Sequence, residues 1–167
     1  MFRKYKGELG LGLTAFIWGS GFIGVSISLS GGLTPLQILT IRFFIGAILL
    51  GVIFFKEIKN NITKESVIAG SMIGVFLFIA FVFQTIGISY TTASKNAFLT
   101  AINVVIVPFI GFILYKRPLD KYGIISSIIA ILGIGILSLD VDFTINFGDF
   151  LTIICAFGFA FHIFFTG

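Results

Sequence analysis

The chain has 167 residues, a net charge of +4 and one cysteine; 57% of it is hydrophobic, 11% is charged, and its mean hydropathy is +1.14. A charged share about half that of ordinary soluble domains excludes a water-soluble globule of this size. The lone Cys155 excludes an intrachain disulfide and a cysteine-based metal site. The positive balance does not point to nucleic acid, because the basic residues sit in short joints rather than on one face.

Six apolar stretches of about 18–22 residues fill the chain, each long enough as a helix to cross a hydrocarbon core of roughly 30 Å. They are expected at Leu9–Leu29, Pro35–Phe55, Val67–Ile88, Asn96–Tyr115, Tyr122–Leu139 and Gly148–Thr166. None alternates as a barrel strand does, and lipid leaves the backbone no other way than the helix to satisfy itself. The start, Met1 to Lys6, resembles a signal n-region. The apolar run behind it is too long for a leader and has no A-x-A site, so it reads as an uncleaved first span.

The joints set the orientation. Arg3, Lys4 and Lys6, then Lys56, Lys59 and Lys64, then Lys116, Arg117 and Lys121 make up nine of the eleven basic residues, and alternating spans put all nine on one side. The positive-inside rule places that side, with the N-terminus, in the cytoplasm. The fifth joint, with Asp140, Asp142 and Asp149, then lies outside. Gly31-Gly32-Leu33-Thr34-Pro35 is a tight outer turn, with Pro35 opening the second helix where a missing N–H does no harm. The sixth span ends without the basic anchor that each other inner end carries, so the sequence reads as a fragment whose complete chain continues. A faint repeat, Gly7-Glu8-Leu9 with Ala15-Phe16 returning as Gly148-Asp149-Phe150 with Ala156-Phe157, falls five spans apart. An odd number of spans inverts the second copy, as in inverted-repeat transporters.

Arg42 is the sharpest feature inside a span. It lies seven residues after Pro35, about 10 Å deep, where an unaccompanied guanidinium costs at least about 2.5–3.5 kcal/mol. It is a cationic contact for a substrate in a wet cavity, a packing group held by carbonyls and amides, or a side chain snorkelling to the headgroups; all three readings are open. Asn96, Thr100 and Asn103 share one face of the fourth span, either lining a path or joining helices by hydrogen bonds. With Gln37, Gln84 and Lys95 they lie in the same half of the membrane as Arg42, which favours a cavity. Trp18 sits mid-span, away from the interfaces where tryptophan anchors, as a stacking platform or as core. His162, the one histidine, is a proton relay or a satisfied buried imidazole.

Gly70-x-x-x-Gly74 and Ser20-x-x-x-Gly24, with Gly19, Gly21, Gly133 and Gly135, are expected to mark close helix contacts. Pro108 frees the carbonyl of Val104 and is expected to bend the fourth helix. No H-E-x-x-H, P-loop or G-x-S-x-G motif occurs, so no enzyme, catalytic residue, metal or cofactor is expected. An intramembrane pair of Ser20 and His162 has nothing in the sequence to bring it together.

Three blocks carry a resemblance: Ala15 to Phe22, reading AFIWGSGF; Pro35 to Phe44, reading PLQILTIRFF; and Gln84 to Thr100, reading QTIGISYTTASKNAFLT, continuing to Val107-Pro108. Together they resemble the drug/metabolite transporter superfamily in its EamA-type branch, over nearly the whole chain. Lys116-Arg117-Pro118 stands where that family often carries an acidic residue after the fourth helix. The resemblance implies an all-α integral membrane protein with a cytoplasmic N-terminus. Six transmembrane helices would form the first half of a ten-helix, inverted-repeat transporter. Residues 1–147 would be the first five-helix repeat and 148–167 the first helix of a truncated second repeat. It also implies alternating-access transport of a small metabolite or drug-like solute across the cytoplasmic membrane. The expected partners are that small-molecule substrate, the lipid bilayer, and a second copy or a missing second half, and no nucleic acid. The alternative is a non-transporting membrane subunit or assembly partner.

Overall fold

The computed structural model describes residues 6–116, 121–138 and 145–167. Among them are eight helices and no strand: α1 (Lys6–Ser30), α2 (Pro35–Ile53), α3 (Phe55–Asn61), α4 (Lys64–Ile88), α5 (Ala93–Thr100), α6 (Asn103–Tyr115), α7 (Lys121–Ser138) and α8 (Phe147–Thr166). Arg3, Lys4, Arg117, Pro118, Leu119, Asp120, Leu139, Asp140 and Asp142, on which the joint assignments partly rest, lie outside the described residues.

Five segments are long and apolar enough to cross a membrane: α1, α2, α4, α5 with α6 taken together, and α8. Among the described residues α7 is apolar over the shorter stretch Lys121–Gly133. A sixth crossing is thus not established by length and composition. The joint after α2 is more structured than the sequence suggests, since Phe54 interrupts the second span and α3 follows as a short separate helix.

Helix starts follow local chemistry. Thr34 caps α2 in a reciprocal box: Gln37 N donates to Thr34 Oγ1 at 3.3 Å, and Thr34 N donates to Gln37 Oε1 at 2.9 Å. Thr63 and Ser66 do the same for α4, which therefore starts at Lys64, a turn before the expected Val67. Asn146 and Asp149 form the third box, opening α8.

The core is organised around α8. Half of its apolar stretch is buried, against 6% of that of α1. It packs most extensively on α4, running antiparallel to it, and then on α6 and α5. Small residues permit the approach. A Cβ added at Gly87 would lie 2.7 Å from Thr152 Oγ1, one at Gly148 would lie 2.9 Å from Thr91 N, and one at Gly158 would lie 3.0 Å from Ala80 Cβ. The expected glycine contacts are elsewhere and open: a Cβ at Gly19, Gly21, Gly24, Gly70, Gly74 or Gly133 meets nothing within 4 Å. Spacing of small residues signals a thin helix face, and only the partner's position decides which thin face is used. Bulky apolar side chains such as Phe16, Ile27, Phe44, Leu49, Val52 and Ile68 point outward, as lipid-facing side chains do.

The fourth span is two helices rather than one bent at Pro108. The chain tightens where α5 ends: Ile102 N donates to Leu99 O at 3.2 Å, Val104 N to Ala101 O at 3.1 Å and Val105 N to Ile102 O at 2.9 Å. These are three-residue steps of the 3₁₀ kind, and Pro108 lies within α6, beyond the interruption.

Candidate substrate-binding site

The α5–α6 interruption lies beside α1, α4 and α8. There a narrow cleft of about 30 Å³ is lined by Trp18, Gly21, Phe22, Arg42, Phe81, Gln84, Thr100, Asn103 and Phe159. Beside it runs a wider groove of about 470 Å³ between α1 and α2, which shares Trp18, Gly21 and Arg42 with the cleft. Five of the nine residues singled out in the sequence thus converge: Trp18, Arg42, Gln84, Thr100 and Asn103.

Arg42 lies over the ring of Phe81, 4.4 Å from its centroid. This cation–π contact accommodates the guanidinium without neutralising it. Phe81 is itself held edge-on by Phe159 at 5.1 Å and Phe43 at 5.7 Å, and Trp18 packs on Phe159 at 6.3 Å. The cleft is therefore an aromatic box with one cation. No carboxylate lines it.

The polar wall comes from α4, α5 and α6. Gln84 Nε2 donates to Thr100 Oγ1 at 3.3 Å, and Thr100 Oγ1 lies 3.8 Å from Cys155 Sγ. Asn103 is 4% exposed, and its amide has no hydrogen-bond partner among the described residues. Buried amides ordinarily have partners, so this one faces the cleft with its donors and acceptor uncommitted.

The other four lie elsewhere. Asn96 is fully buried behind the cleft, donating to Gln84 O at 3.2 Å and to Thr152 Oγ1 at 2.6 Å; it ties α5 to α4 and α8. Lys95 is buried at the α8 N-terminal end, its Nζ 2.8 Å from Asp149 Oδ2. Gln37 serves the exposed α2 cap. His162 lies near the opposite end of α8, its Nδ1 3.1 Å from the carbonyl of Ile73.

The residues that sequence reasoning missed are Asp149, Phe81 and Phe159. Asp149, expected at an outer joint where the sixth span begins, carries no site role in the sequence reading. It is 1% exposed in the first turn of α8. The Asn146-x-x-Asp149 spacing is a capping-box signature and signals that this carboxylate turns back onto the helix start. Phe81 and Phe159 carry no such signal, because 22 phenylalanines make any one of them anonymous.

A helical bundle with five segments of membrane-spanning length and outward apolar faces is a multi-pass membrane protein. The EamA-like transporter family matches residues 5–139, and the chain belongs to that family. It is 36% identical over 154 residues to an uncharacterized transporter of Archaeoglobus fulgidus, covering 92% of this chain and 46% of the relative. It is 31% identical over 141 residues to an uncharacterized transporter of Clostridium kluyveri, covering 79% of this chain and 44% of the relative. The chain therefore spans less than half the length of these curated relatives. No solved structure matches it.

Proposed function

We propose that this protein takes part in carrying a small organic solute across the cytoplasmic membrane by alternating access, with the Arg42 cleft on the solute's route. The observation that carries this reading is the uncommitted polar surface of the cleft. Arg42 and Asn103 have no polar partner among the described residues, yet both face one cleft. Intramembrane charge is costly, and an ionisable side chain that faces a cavity between helices is the usual mark of a substrate path. The interrupted α5–α6 span supports the same reading, since carriers place discontinuous helices at their binding sites. Membership of a transporter family agrees with it. The six-span topology, the cytoplasmic N-terminus and the division into residues 1–147 and 148–167 of an inverted repeat belong to this proposal.

The test uses Gly21, which lines the cleft and where a Cβ meets nothing within 4 Å. In a Cys155→Ala background, Gly21→Cys is placed in right-side-out and inside-out membrane vesicles and exposed to a membrane-impermeant thiol reagent. A carrier that opens alternately lets the reagent reach Gly21→Cys from both faces. Reaction from one face alone, in both vesicle orientations, contradicts alternating access.

A further inference from the structure

We infer that the solute is an organic monoanion with an apolar body, its acid group held in the narrow cleft and its body in the adjoining groove. This deepens the reading of the Arg42 cleft as the solute's route and rests on it.

The two spaces differ in chemistry as well as size. The cleft, at about 30 Å³, is far smaller than the groove, at about 470 Å³. A small acid group suits the narrower space and a bulkier body the wider one. The donors are in the same place. Arg42 presents a fork suited to two oxygens, and the Asn103 amide is uncommitted. The groove has the volume of an ordinary small-molecule site and walls of Ile17, Trp18, Val25, Ile38 and Ile41, interrupted by Gly21 and Gly24. A Cβ added at Gly21 or Gly24 would meet nothing within 4 Å, so the groove is kept wide by missing side chains. Arg42 sits where the two spaces join. A ligand that satisfies both has one acidic end and one apolar end.

Charge selects further. Aromatic rings can hold an ammonium group by its charge, but here Arg42 already lies over Phe81 and no carboxylate lines either space. Asp149, the buried acid of α8, is ion-paired to Lys95 and accepts a hydrogen bond from Thr91 Oγ1 at 2.7 Å. Cations are repelled by Arg42, and a zwitterion gains its acid contact while its ammonium lies against aromatic rings beside a like charge. The site therefore ranks anion above zwitterion above cation.

Trp18 is the one tryptophan in the chain and borders both spaces, so its fluorescence reports on this site alone. The chain is reconstituted in phosphatidylcholine nanodiscs and titrated with four non-absorbing probes of similar size: cyclohexanecarboxylate, cyclohexanecarboxamide, cyclohexylmethylammonium and zwitterionic β-cyclohexylalanine. The expected result is a saturable change with the carboxylate at least tenfold tighter than with the amide, and weakest with the ammonium ion. Arg42→Gln should lower carboxylate affinity tenfold or more, with Arg42→Lys between. Asn103→Asp, which adds a negative charge to the cleft, should weaken the carboxylate and strengthen the ammonium ion. It keeps the test open where Arg42→Gln fails to fold. Equal responses to all probes, tighter binding of the cation, or no response to any probe overturns the inference. Loss of the carboxylate response when phosphatidylglycerol replaces phosphatidylcholine assigns the site to anionic lipid instead, and also overturns it. Saturable carboxylate binding without flux in vesicles keeps the ligand class and removes the carrier reading. Flux indifferent to charge does the reverse.

Discussion

Lys95 Nζ and Asp149 Oδ2 lie 2.8 Å apart, joining the first turn of α5 to the first turn of α8 in a setting that leaves Asp149 1% exposed. The carboxylate is further held by Thr91 Oγ1 and by the Asn146 backbone N–H at 2.9 Å. The carboxylate is thus surrounded by donors, which helps a buried pair offset its desolvation.

Breaking this pair from one side should be costly. Lys95→Met or Asp149→Leu alone leaves a buried charge without its partner and is expected to destabilise the protein by about 3–5 kcal/mol. The double variant removes both charges and should recover much of the loss. Buried Cys155, the one cysteine, becomes reactive on unfolding, so a thiol-reactive dye followed against temperature reads all three. A double variant as unstable as the worse single would remove charge pairing as the cause.

Glycine substitutions should separate the packed contacts from the open ones. Gly148→Ala places a Cβ 2.9 Å from both Thr91 N and Tyr90 C, against backbone that cannot swing aside. A cost of about 1–3 kcal/mol is expected from overpacking. Gly24→Ala and Gly74→Ala meet open space and should be neutral or up to about 1 kcal/mol stabilising, through helix propensity. The same dye assay measures the order, and equal costs at Gly148 and Gly24 would contradict the α4–α8 contact.

Two buried threonines should respond oppositely to valine. Thr152 Oγ1 accepts from Asn96 Nδ2 and donates to Gly148 O at 2.7 Å. Thr152→Val should cost about 1–2 kcal/mol, near the upper range for hydrogen bonds between membrane helices. Thr85 Oγ1 is buried with no partner among the described residues, so Thr85→Val should leave stability unchanged or raise it by up to about 1 kcal/mol. Thermal midpoints in one detergent check the sign of each.

Orientation is open to direct labelling. In a Cys155→Ala background, cysteines at Asn60 in α3 and at Gly31 in the α1–α2 turn should be modified from opposite faces of sealed vesicles, Asn60 from the cytoplasmic face. Modification of Asn60→Cys from outside would reverse the positive-inside assignment.

Five membrane-length segments and the polar positions within them were legible in the sequence, because lipid imposes a length and forbids unpaired backbone in any chain that crosses it. Membership of the EamA-like family was legible for a related reason: the block from Gln84 to Thr100 holds several polar residues in an order that an apolar background makes distinctive. The sequence could not say which polar residues meet. Asn96, Thr100 and Asn103 share one face on paper, yet Asn96 ties three helices together, Thr100 joins Gln84 at the wall, and Asn103 alone keeps its amide free for the cleft. Nor could it say which small residues carry contacts, since Gly87, Gly148 and Gly158 are pressed against neighbours while Gly24 and Gly74 are not. Composition and length act along the chain, one segment at a time, and they determined that this protein is a membrane bundle with polar groups at depth. Pairing Lys95 with Asp149 while leaving Arg42 over Phe81 with no acid depends on how α8 settles against α4 and α5, a relation among distant segments that only the folded arrangement decides.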